Sequence, residues 1–148
     1  MSLVLPSKKS LTLEAAKLMA AAAEAEAARS GWKVVVAVVD DGGHALLVHR
    51  IDGTQSSSVP TAMGKARSAV AYKRPTRILE EMINKGRFSF LSAGGDPVAL
   101  QGGLPIEIDG QLTVPSGGRD LAPRGPVGPE PGGRTPLVEA PVGSPRSP

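Results

Sequence analysis

The sequence predicts a small α+β domain, on three observations. Val34–Val39 is β-branched at five of six positions, the composition of a strand. Asp40-Asp41-Gly42-Gly43 and the apolar run His44–Arg50 follow it, as a tight turn and a return strand would. Alanine-rich stretches of helical spacing flank this hairpin on both sides. A two-stranded hairpin is not stable alone, so those helices have a sheet face to cover.

Taken in order, Leu3–Leu5 reads as a short edge strand or an arm against the first helix. Thr12 is placed to cap a helix over Leu13 to Arg29, with Glu14 facing the positive end of the dipole and Gly31 as the stop. Leu13, Ala16, Ala20, Ala23 and Ala27 form one stripe, and such small side chains imply close approach to a sheet. Val34–Val39 is apolar on both alternating faces, which places it mid-sheet with cover on each side. In the return strand Leu46 and Val48 share a face with His44 and Arg50, while Ala45, Leu47 and His49 take the other.

Ser58 is positioned to cap a second helix, Val59–Tyr72, with Pro60 in its first turn and Ala62, Ala66, Ala69 and Val70 on its apolar side. Thr76 caps a third, Arg77–Lys85, closed by Gly86. Phe88–Leu91 reads equally as strand or turn. Leu104–Asp109 and Gln111–Val114 around Asp109-Gly110 form a second hairpin. From Pro115 the composition breaks: nine of the last 34 residues are Pro and seven are Gly, too little apolar content to offset the entropy of ordering. The expected organisation is a domain over 1–114 and a disordered tail over 115–148.

Composition excludes several chemistries. With no cysteine there is no disulfide, thiolate metal site or Cys nucleophile. Aromatic content of 3% leaves no base-stacking platform, so the net charge of +3 does not make a nucleic-acid binder. No apolar run reaches the length of a membrane span, and a cytoplasmic protein is expected. Neither G-x-S-x-G nor a phosphate-binding glycine fingerprint is present, and no catalytic residue is assigned.

The residues left to carry chemistry lie near the central hairpin. His44 and His49 are five apart on a strand and point to opposite faces, so they do not share one metal ion, and no metal site is expected. Arg50, Lys65, Arg67, Lys73 and Arg74 are suited to ligand carboxylates, although a solvated helix face accounts for them too. Met63 and Tyr72 have the chemistry to approach a metal-centred cofactor, and helix packing explains them equally well.

The runs LTLEAAKLMAAAAEAEA, GWKVVVAVVDDGGHALLVHRIDGTQSSSVPTAMGKARSAVAYKRPT and GGLPIEIDGQL, over Leu11 to Leu112, resemble the GlcG/HbpS family. That family includes haem-binding proteins and the C-terminal domain of PduO-type cobalamin adenosyltransferases. The resemblance implies a profilin-like antiparallel sheet with helices on its faces, and homo-oligomers. It further implies haem or tetrapyrrole binding, with haem degradation in some members. On that reading His44, His49, Arg50, Lys65 and Arg67 are the cofactor-binding candidates. Two alternatives stand beside it: a cofactor-free accessory or small-acid-binding protein of alcohol, glycolate or diol catabolism, and a structural oligomeric module without catalysis. The family continues past D-G with a strand resembling V-G-A-I-G-V-S-G and an Ala-rich helix. Here TVPSGGRDLAPRGPVG stands instead, so the last strand and closing helix are expected to be missing, as a frameshift in a GC-rich gene would produce.

Overall fold

The computed structural model describes residues 3–108 and 111–117. The Asp109-Gly110 turn and the expected tail from residue 118 onward lie outside these. The element order is α1 (Leu13–Arg29), β1 (Val35–Val39), β2 (Ala45–Arg50), α2 (Ser58–Tyr72), α3 (Thr76–Asn84), a 3-10 turn (Phe88–Ser92), β3 (Gly103–Ile108) and β4 (Gln111–Gly117). The four strands form one antiparallel sheet in the order β2-β1-β4-β3. The mixed α+β class and the antiparallel sheet with helices on its faces are as the sequence predicted.

All five residues of β1 are buried, because a helix covers each face. Val36 and Val38 pack with Ala16 and Ala20 of α1 and with Leu47. Val35 and Ala37 pack with Ala62 of α2, beside Val59 and Met63. The alanine stripe therefore acts as expected, letting α1 lie close to the sheet, except that its first residue, Leu13, is 48% exposed. Thr12 caps α1 through its hydroxyl, which accepts from the Ala15 amide at 3.2 Å.

Other local expectations shift. Leu3, Val4 and Leu5 are 87%, 87% and 79% exposed and join no strand, so they are neither an edge strand nor an arm buried on α1. Ser58 lies inside α2, whose cap position is Ser57 and carries no side-chain capping bond. Thr76 is the first residue of α3, fully buried, and its hydroxyl serves β3 rather than the helix: it accepts from the Gly103 amide at 2.8 Å. A bulge falls between Val38 and Val39, where the register steps from Leu47 to Ala45 and leaves Leu46 unmatched. This irregularity lets both Leu46 and Leu47 meet the α1-side core, which strict alternation forbids.

Strand β4 runs to Gly117, beyond the composition break at Pro115, and lies between β1 and β3. Its described pairs with β1 are Val38↔Ser116 and Ala37↔Gly117. Pro115 precedes both, opposite Pro105 of the edge strand β3, so its missing N–H falls outside the described ladder to β1.

Candidate functional site

The β1–β2 turn is built on Asp40. Its Oδ1 accepts from the Gly42 amide at 2.9 Å and the His44 amide at 2.8 Å, while the Gly43 amide donates to the Asp40 carbonyl at 3.0 Å. Gly43 takes φ +84°, a conformation L side chains rarely adopt, which is why the turn needs glycine there. The backbone bond from His44 is the largest cause holding the Asp40 carboxyl below its ordinary value, against an opposing desolvation effect. The turn is thus anchored by a carboxylate that stays charged into acid. The same carboxylate reaches the imidazole, with His44 Nδ1 at 3.3 Å from Asp40 Oδ2. With Nδ1 engaged in this way, Nε2 is the ring nitrogen left for a ligand, as when a carboxylate orients a ligating histidine.

Helix α2 meets this turn through Arg67, whose Nε donates to the Gly43 carbonyl at 3.2 Å. Between turn, helix and the loop after the 3-10 turn lies an open cleft of about 460 Å³. Asp41–His44, Arg67, Val70, Tyr72 and Gly94-Gly95 line it. Tyr72 stacks at a tilt on Phe90, ring centroids 4.9 Å apart, and its hydroxyl lies 3.4 Å from the Gly94 carbonyl, so the far wall is tied to α2. Ser68 fixes the same segment by accepting from the Val98 amide at 2.8 Å.

The five candidate residues separate into groups. His44 and Arg67 share the cleft. His49 lies on the opposite face, its Nδ1 at 2.5 Å from Glu24 Oε1 of α1, while His44 stands in the turn before β2. The sheet thus divides the two imidazoles, although the bulge at Leu46 breaks the strict strand alternation between them. Lys65 lines a second cavity of about 160 Å³ with Val34, Val35, Gln55, Ser58, Thr61 and Ala62. Its Nζ donates to the Gln101 carbonyl at 3.2 Å, and burial draws its ammonium below the ordinary value against the opposing pull of Glu80. Arg50, at the exposed end of β2, lines neither cavity. Among the described residues, no three or more His, Asp or Glu side chains gather as a metal-binding group. No described helix is long and apolar enough to cross a membrane.

Two contributions escaped the sequence reading. Gly94-Gly95 reads as a turn marker, yet it forms a cleft wall, which only the tertiary position of the loop reveals. Ser58, Thr61 and Lys65 stand three and four apart on one helix face, a polar stripe whose spacing the sequence carries once Ser58 is placed inside the helix.

The comparisons agree with this fold. A solved structure of a double mutant of Streptomyces reticuli HbpS superposes with a TM-score of 0.70 at 32% identity, covering 80% of each chain. The structure of a PduOC–haem complex gives 0.68 at 27% identity, covering 74% of this chain and 82% of that one. Protein GlcG of Escherichia coli K12 is 37% identical over 99 residues, 62% of this chain and 74% of GlcG. The family described as haem degrading protein HbpS-like matches residues 11–116. With that match spanning most of its length, this chain belongs to the HbpS-like family.

Proposed function

We propose that this protein binds haem, or a closely related tetrapyrrole, in the cleft between the β1–β2 turn and α2. The observation that carries the reading is the meeting of His44 and Arg67 at one cavity. Its volume of about 460 Å³ falls in the range of small-molecule and cofactor sites, roughly 300–1,000 Å³. The donor set fits the group. His44 offers an imidazole already oriented by Asp40, Arg67 offers a guanidinium for a propionate, and Val70 and Tyr72 offer apolar surface to a macrocycle. The relative solved as a haem complex supports the same reading. Bound haem supplies a redox-active iron; the chain's part is to ligate it through His44 and hold a carboxylate at Arg67.

Haem titration followed at the Soret band tests the proposal. His44→Ala is expected to abolish or shift the band, while His49→Ala, on the other sheet face, leaves it as in the unaltered protein. Arg50→Ala is expected to leave haem affinity unchanged, whereas loss of the Arg67 charge weakens it by about 1.5–3 kcal/mol, the scale of a charge-assisted hydrogen bond. An unaltered Soret spectrum in His44→Ala overturns the assignment.

A further inference from the structure

The second cavity has a different character from the cleft, and we infer that it is a separate site for a small aliphatic carboxylate. Its floor is apolar and fixed: Val35 and Ala62 are buried against each other in the core between β1 and α2. One wall is polar, made by the Gln55 carboxamide and the Ser58 and Thr61 hydroxyls. Lys65, one turn further along α2, supplies positive charge. The polar wall is held in place from behind. Thr61 Oγ1 donates to the Ser57 carbonyl at 2.9 Å, and Thr54 Oγ1 donates to the Val34 carbonyl at 3.2 Å, tying the loop before α2 to the start of β1.

Size selects the ligand class. At about 160 Å³ the cavity holds the equivalent of roughly five waters, each occupying about 30 Å³. A tetrapyrrole is far larger than this volume. A two- or three-carbon carboxylate fits, with its carboxylate toward Lys65, its short chain on Val34, Val35 and Ala62, and any hydroxyl toward Ser58 or Gln55. Charge points the same way. An ammonium disfavoured by burial gains when an anion enters beside it, so binding and protonation of Lys65 reinforce one another. Glu80 is the acidic group that acts on Lys65 from α3, and its carboxylate already accepts from the Gln101 amide at 3.1 Å. This site stands whether or not the cleft takes haem, since the two cavities share no lining residue.

The test is an amide and side-chain-amide NMR titration of the full chain with lactate, with propionamide as the neutral control. Lactate is expected to give saturable shifts at Gln55, Ser58 and Thr61, and propionamide none. Lys65→Met, which keeps the packing of the side-chain stem, is expected to weaken lactate by about tenfold or more. Should that variant fail to fold, Ser58→Ala and Thr61→Val replace it, each expected to weaken lactate measurably. Absence of saturable shifts with lactate overturns the inference, as do equal shifts with propionamide or undiminished binding in the folded variants. Haem binding is read separately at the Soret band, so either assignment can fail without the other.

Discussion

Gly103 is where a single atom decides the packing. A Cβ built there would stand 2.5 Å from the Lys65 carbonyl oxygen and 2.8 Å from Thr76 Cγ2. The first contact is helix backbone, which cannot swing aside as a side chain can. Gly103→Ala should therefore destabilise by about 2–4 kcal/mol, in the upper range for overpacking, read as a lower urea midpoint. A midpoint equal to the parent protein's would show that α2 and β3 can separate freely. The reciprocal bonds between Thr76 and Gly103 make the same junction polar as well as tight, with Gly103 N donating to Thr76 Oγ1 and that hydroxyl lying 3.4 Å from the Gly103 carbonyl. From sequence, Thr76 after a proline reads as a helix cap, because local capping is visible in a short window and a bond spanning 27 positions is not.

At the scale of elements, the hydrophobic pattern was readable wherever one strand or helix faces one neighbour. Continuous burial of β1 was legible because its composition admits no solvent face. The alternation in β2 was only half legible, since the bulge at Leu46 is a property of the pair of strands and not of either alone. Helix α1 illustrates the energetic side. Ala16 and Ala20 are fully buried against Val36 and Val38, so the spacing of helix and sheet is set by methyl groups. Ala20→Leu should force the layers apart at a cost of about 1–3 kcal/mol, while Leu18→Ala, at a position 70% exposed, should shift thermal stability little. Comparable melting temperatures for the two variants would contradict close packing of α1. The cleft residues were legible as individuals, in the Asp40–Gly43 turn, His44 and the Arg67 helix. Which of them meet was not, because that depends on how α2 crosses the sheet.

For the whole molecule, two hairpins are joined at one seam. Within the described residues, β1 and β4 pair only at Val38↔Ser116 and Ala37↔Gly117. Both β4 partners lie beyond Val114, the boundary that composition suggests for the domain. A chain ending at Val114 should consequently melt well below one ending at Gly117, by thermal denaturation followed with circular dichroism. Equal melting would mean that α2, which packs on both hairpins, suffices to hold them together. The seam also governs the order of assembly. The strands of each hairpin, β1 with β2 and β3 with β4, lie close together along the chain, whereas Ala37 and Gly117 are 80 residues apart. Closing so long a loop must precede any reward from the contacts it brings, so the rate of folding is set by this late encounter and not by either hairpin. Until it occurs, each half presents an unpaired strand edge, which makes the interval before seam closure the stage at which the chain is most open to pairing with another copy of itself.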